Sequence, residues 1–470
     1  MKFLHKALAV ACVAMPAWAH AAELNGAQLA LWWALPFAGL LLSIALMPLL
    51  APSFWHHHFG KVTAAWALAF LLPLAVVYGG GALVGNVVHA LLAEYLPFVI
   101  LLTALYVVAG GIYIRGSLRG TPALNTAILA VGAVLASFMG TTGASMLLIR
   151  PLIRANAHRK HVVHVVVFFI FIVSNAGGSL TPLGDPPLFL GFLKGVEFSW
   201  TLLHIWPQAL FLIVALLGIF FAVDHWMLRK EGAALVPVDT NAATEALGFD
   251  GKRNFVLLGA IVGLVLLSGI WQPGVAFNIM GTEVGLPGVV RDVGLLVVAG
   301  LSLWLTPKAV HANNQFGWGP MEEVAKLFAG IFLTIAPVIA MLKAGVDGPF
   351  AAVIHAVTRA DGTPDPAMYF WATGLLSSFL DNAPTYLVFF NTAGGDPVAL
   401  MGSLAPILVA ISAGSVFMGA NSYIGNAPNL MVKAIAEDRG VRMPSFFGYM
   451  LWSVGILVPL FVVMTLIWFL

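Results

Sequence analysis

Apolar runs of roughly twenty residues recur along this chain, separated by short polar or Gly/Pro-rich stretches. They predict full or broken helical spans over 27–50, 62–80, 96–114, 122–139, 161–183, 200–226, 254–272, 291–307, 327–346, 367–380, 403–418 and 445–470. Runs of that length cross a hydrocarbon core roughly 30 Å thick. Barrel strands would be shorter and would alternate, and these segments do neither. The pattern predicts an all-α polytopic membrane protein. Residues 82–95 and 315–327 mix charges with apolar side chains at helical spacing, and they predict amphipathic helices lying along the interface.

Some of the interruptions repeat. Leu135-Ala136-Ser137-Phe138 returns as Leu376-Ser377-Ser378-Phe379, 241 residues later. The same gapless shift carries Ser174 to Ser415, Gly178 to Gly419, Gly184 to Gly425 and Pro187 to Pro428. Chance agreement among common residues is the alternative. Interrupted apolar segments at matching places in two halves point to the binding site of a secondary transporter. The chain therefore divides into a first membrane repeat over 27–228, a linker over 229–253 and a second repeat over 254–470.

Charge bias orients these segments. Arg115, Arg119, Arg150, Arg154, Arg159, Lys160, Arg229, Lys230, Lys252, Arg253 and Lys308 all fall on one face if the mature N-terminus lies outside. The stretch from residue 120 to residue 155 must then enter and return as a re-entrant hairpin, turning near Gly140-Thr141-Thr142-Gly143. The stretch from Tyr369 to Asn391 must do the same from the opposite face, turning near Asp381-Asn382-Ala383-Pro384. The two repeats thus have inverted topology, each with a re-entrant hairpin and a discontinuous helix.

Composition sharpens this picture at few points. Sixty per cent of the residues are hydrophobic and 9% charged, against about 25% charged in a soluble protein. The formal net charge of +2 comes with no basic domain, so nucleic acid is not an expected partner. Lys2 and Lys6, an apolar run and Ala17-Trp18-Ala19-His20-Ala21 have the form of a secretory signal over 1–21; an uncleaved anchor is the alternative. The single cysteine, Cys12, lies in that segment, so a cleaved chain has no thiol chemistry. These features predict a multi-pass protein of the bacterial inner membrane with a periplasmic mature N-terminus. No phosphate-loop pattern and no nucleophile–base–acid set are present, so the expectation is a protein that is not an enzyme and needs no cofactor.

Four breaks concentrate the polar groups: Gly140 to Ser145, Ser174 to Pro187, Asp381 to Thr385, and Ser415 to Pro428. Backbone freed from helical bonding at membrane depth survives only inside protein or beside a wet cavity, so the four should converge. They offer Thr141, Thr142 and Ser145; Ser174, Asn175, Ser179, Thr181 and Asp185; Asp381, Asn382 and Thr385; and Asn421, Ser422, Asn426 and Asn429. Oxygen donors of this kind suit a hard cation such as Na⁺. Asp185 and Asp381 are the candidate cation ligands, since a carboxylate at that depth costs about 2.5–3.5 kcal/mol on insertion scales and marks a function. Burial favours its protonated form and a bound cation its charged form, which is the competition antiport requires. Capping of a half-helix is the alternative role for either acid. Under the repeat shift Asp185 falls on Asn426 and Asp381 on Gly140. No Lys or Arg lies within the four breaks, which weighs lightly against a multiply charged anion. His56-His57-His58 reads as an interfacial loop, His161 and His164 as helix-end anchors, and Arg291 with Asp292 as an interfacial pair.

At these residues the chain resembles the ion transporter superfamily. The run from Ser174 to Pro186, with Thr181-Pro182-Leu183-Gly184-Asp185-Pro186, resembles the glycine-rich segment of NhaD-type sodium/proton antiporters, and Asp381-Asn382-Ala383-Pro384 resembles their second hairpin. The broader resemblance, over roughly 27–470, is to bacterial citrate transporters and sodium/proton antiporters. It implies inverted repeats, usually a homodimer with elevator-type movement, and handling of Na⁺ and H⁺ through Asp185 and Asp381 with Asn382, Thr181 and Asn426 nearby. The first hairpin departs from dicarboxylate members, reading Thr141-Thr142-Gly143-Ala144-Ser145 in place of a Ser-Asn-Thr signature. The leading expectation is Na⁺/H⁺ antiport. The rivals are cation-coupled transport of citrate or a related organic anion, and a non-transporting membrane scaffold.

Overall fold

The computed structural model describes residues 24–116, 118–231 and 248–470; the expected signal over 1–21 lies outside these. The described chain is helical apart from two short antiparallel ribbons, Tyr113–Arg115 with Gly248–Asp250 and Ala276–Ile279 with Thr282–Gly285. Among the described residues seven helices are long and apolar enough to cross a membrane, or eight if the pair Gly319–Thr334 and Ala336–Lys343, bent by 43°, is one span. The protein is a multi-pass helical membrane protein.

Several boundaries differ from the sequence pattern. The helical run Pro52–His89 breaks at Gly79 (φ 83°, ψ 171°), where the boundary between the expected span 62–80 and the segment 82–95 falls, but it starts ten residues before 62 and continues through a π-helical turn, Ala90–Tyr95, into Leu96–Gly110. Its first turns carry His56, His57 and His58, which were expected in a loop. Successive helical side chains diverge, and among the described residues no three His, Cys, Asp or Glu converge on a metal position. The expected boundary at 327 lies inside the helix Gly319–Thr334. The linker's ends are also ordered: the long helix Phe198–Glu231 extends past 229, and Gly248–Asp250 pairs with the first strand.

Both expected hairpins fold back. Pro122–Ala155 is broken at Gly140, whose φ of 79° and ψ of 151° lie outside the range of L-residues. Asn125 and Asn156, 31 residues apart, exchange amide hydrogen bonds of 2.9 and 2.8 Å. A straight helix would separate them by about 46 Å. In the second half, Pro366–Phe379 and Asn382–Thr392 are joined at Asp381, and the rings of Tyr369 and Phe389 lie 6.3 Å apart.

A buried ionic cluster ties the base of the first hairpin to Phe198–Glu231. Arg159 donates to Asp224 at 2.5 Å and lies 3.5 Å from Glu231. His164 Nε2 is 2.7 Å from Asp224, and Asn125 donates to its other oxygen at 2.9 Å. Arg159 and His164 were expected at an interface; both are buried instead. Their charges are accommodated because each has a partner, as burial of charge requires.

Candidate functional site

The four breaks are built by one local scheme used twice. Ser137 donates to Gly177 O at 2.6 Å, and its repeat equivalent Ser378 donates to Met418 O at 3.1 Å. Thr181 donates back to Ser137 O, as Ser422 does to Ser378 O. Leu183 N donates to the Thr181 hydroxyl and Ile424 N to the Ser422 hydroxyl, both at 3.2 Å. The shift of 241 residues thus carries hydrogen bonds onto hydrogen bonds. Hydroxyls at these positions satisfy backbone that the broken helices leave open.

Each discontinuous helix runs through a short 3₁₀ turn before restarting. In the first, Val163–Ile172 gives way to Ala176–Ser179 and then Pro186–Leu193. In the second, Ala405–Met418 gives way to Gly419–Asn421 and then Ala427–Asp438. The restarting helices begin after Asp185 and Asn426, both extended, with φ/ψ of −144°/145° and −155°/138°. Neither side chain caps its own helix. Both are free to meet.

They do meet. Asn426 Nδ2 donates to Asp185 Oδ1 at 3.2 Å, a bond between residues 241 apart in sequence. A residue bonded to its own repeat equivalent lies beside whatever axis relates the two halves. The Thr141 hydroxyl donates to the same carboxylate at 2.8 Å, and Asn382 Nδ2 donates to Asp185 Oδ2. Thr141 and Asn382 are themselves equivalent under the shift. Asp185 is therefore gripped by three uncharged donors drawn from three of the four breaks. No Lys, Arg or His of the described residues lies within 4 Å of it.

The remaining expected residues divide into two groups. Asn175 belongs with the cluster: its Oδ1 accepts from Asn426 at 3.2 Å and its Nδ2 donates to Asn429 Oδ1 at 2.8 Å. Asp381 caps the second half of its hairpin by accepting from Ala383 N at 3.0 Å, and with Thr142 and Asp185 it lines a cavity of about 950 Å³. The others turn to local partners. Thr385 donates to Asp381 O at 2.9 Å, Ser145 pairs with Ser174 at 2.8 Å, and Asn421 donates to Ser378 at 2.9 Å. Thr181 and Ser422 serve the backbone as described. Two acceptor oxygens in this region, Asn382 Oδ1 and Asn421 Oδ1, are buried without a hydrogen-bond donor.

One further expected residue and one outside the expected set also matter. Asn429, fully buried, donates to Gly419 O and Ser422 O at 2.9 Å each and so joins the second break to Asn175. Its repeat equivalent is Leu188, so the repeat gives no hint of it. Arg150 lines the cavity from the returning arm of the first hairpin. Sequence counted it only as a charge on one face of the membrane.

A family model described as "Putative citrate transport" matches residues 26–469. A "46 kDa membrane protein" of Mycobacterium leprae is 23% identical over 344 residues, covering 70% of this chain and 73% of the relative. An "uncharacterized transporter" of Mycobacterium tuberculosis (strain H37Rv) is 24% identical over 282 residues, covering 59% of this chain and 60% of the relative's length.

Proposed function

Because the chain belongs to the citrate-transport family whose model spans nearly all of it, and is thus a membrane transporter, we propose that it is a secondary active transporter exchanging Na⁺ for H⁺ at Asp185. The observation that carries this is the carboxylate held jointly by both halves through Thr141, Asn382 and Asn426. Relative movement of the halves changes its donors at once, so its affinity for a proton or a cation is coupled to conformation. A neutral, protonated Asp185 needs fewer donors. A charged one can take a cation, with the unpartnered Asn382 Oδ1 as a further oxygen ligand once its amide turns toward the ion. Asp381, on the same cavity wall, is the second candidate ligand.

In this reading the two repeats span the bacterial inner membrane in opposite orientation with their hairpins entering from opposite sides, the mature N-terminus is periplasmic, and the assembly is a homodimer. The test is Na⁺-dependent dissipation of a pH gradient in vesicles. Activity retained by the double variant Asp185→Asn, Asp381→Asn refutes the mechanism.

A second reading, cation-coupled transport of citrate or a related organic anion, is favoured by the family's description and by the cavity. Its volume of about 950 Å³ is far more than a single Na⁺ fills and falls among small-molecule pockets. Accumulation of labelled citrate driven by an imposed Na⁺ or H⁺ gradient distinguishes it.

A further inference from the structure

Arg150 stands out in the cavity wall. It is only 7% exposed. A buried guanidinium ordinarily has a carboxylate partner, yet among the described residues none lies within 4 Å of it. Its Nε donates to Gln315 Oε1 at 3.3 Å, a long and neutral contact, and its Nη1 is buried with no acceptor. Gln315 is itself held at φ 50°, one of two non-glycine residues with positive φ among the described residues. Such backbone is uncommon, costs energy and collects at functional positions. Its neighbour Gly317 accepts from the Tyr106 hydroxyl at 2.6 Å, and Tyr106 lines the same cavity.

Position relative to the cluster is equally specific. Arg150 sits nine residues beyond Thr141 on the same helix, about 13 Å along its axis. Helical side chains lean toward the N-terminus, so the guanidinium leans back toward the break. Thr142, in the first turn of that helix, lines the cavity as well. The positive end of the helix and the Arg150 fork thus bracket one space.

We infer that Arg150 is an anion-binding residue of this transporter, taking one carboxylate of a small polycarboxylic acid whose other end lies toward Thr142 and Asp185. This rests on the organic-anion reading above and assigns it a specificity-determining side chain. The planar fork binds a carboxylate through two parallel bonds, which a lysine cannot reproduce. Gln315 holds Nε in place and leaves the Nη edge for the substrate.

The experiment uses the full-length protein in proteoliposomes, with uptake of labelled citrate and labelled succinate measured under an imposed Na⁺ gradient and, separately, an imposed H⁺ gradient. Arg150→Gln is expected to raise the citrate KM about ten-fold or more while changing the maximal rate by less than about two-fold. Arg150→Lys should fall between it and the wild type. If Arg150→Gln does not yield a monodisperse protein, Arg150→Lys and Gln315→Ala carry the test, each with an expected KM increase of about three-fold or more. A citrate KM unchanged in the Gln variant, or in both of the others, overturns the assignment while leaving anion transport standing. A wild-type protein that takes up neither acid overturns the assignment and the anion reading together; Na⁺/H⁺ exchange is then the surviving function.

Discussion

Replacing Gly184 by alanine is a severe test of the way the site is held. A Cβ at residue 184 would lie 2.2 Å from the carbonyl oxygen of Gly178, where side-chain carbons keep at least 3.0 Å from any heavy atom. The obstacle is backbone, so the two strands of the break must part by at least 0.8 Å. Overpacking of this kind costs about 1–3 kcal/mol. The displacement passes directly to the next residue, Asp185. Added to the 3.2 Å bond from Asn426, it gives 4.0 Å, beyond hydrogen-bonding range. A hydrogen bond to a charged group contributes about 1.5–3 kcal/mol, so Na⁺ affinity should fall roughly ten-fold or more. The equivalent Gly425→Ala meets Gly419 O at 2.5 Å and should act in the same direction, less strongly. The control is Gly259→Ala, inside the helix Arg253–Ile270 with nothing within 4 Å of the new carbon. It should be neutral or stabilising by up to about 1 kcal/mol. The readouts are thermal stability of the purified protein with and without Na⁺, and vesicle exchange. If Gly184→Ala matches Gly259→Ala in both, the close crossing does not hold Asp185 and the reasoning fails.

Other perturbations test separate parts of the structure. Asp224→Ala removes the carboxylate partner of buried His164 and the nearer of the two carboxylates beside Arg159, leaving only Glu231, and should cost about 3–5 kcal/mol in chemical denaturation; an unchanged denaturation midpoint would count against the buried cluster. Asn175→Ala leaves Asn429 Oδ1 without its donor, which should cost about 1–3 kcal/mol and weaken Na⁺-induced stabilisation; unchanged melting in both conditions would count against the polar bridge between the breaks. Cysteines at Asn125 and Asn156, in a chain lacking Cys12, should be joined by a short thiol crosslinker. Failure to crosslink in the folded protein would contradict the fold-back at Gly140.

Much of this arrangement was legible because helix interruption leaves a compositional trace. Gly140, the Gly177-Gly178 pair, Asp381 and Gly419 mark where the backbone leaves helical geometry, and the repeat shift carries Gly140 onto Asp381 and Gly178 onto Gly419. Asp185 was found for the same reason, as an acid in an apolar run. The sequence was less informative where function depends on which way a side chain faces. Arg150 and Arg159 looked like two charges on one membrane face; one lines the cavity and the other is locked between Asp224 and Glu231. Charge counting weighs residues by position along the chain and cannot distinguish these fates. Asn429 was legible as an amide beside the fourth break, although its repeat equivalent is an apolar Leu188. The span boundary near 327 was misplaced because a helix continues through polar residues once neighbouring helices cover them, whereas the boundary near 80 falls on the break at Gly79. Glu94, buried beside Lys194, is another polar residue that a continuing helical run carries.

The contact between Asp185 and Asn426 has a consequence for how such a chain can diversify. Two copies of one segment that touch at their shared axis place like against like. An acid there would face an acid, and the two could coexist only by sharing a proton. Changing one member to the isosteric amide removes the conflict and leaves a single negative charge between two halves of the same design. The loss of identity at that one place leaves the contact with one carboxylate in place of two.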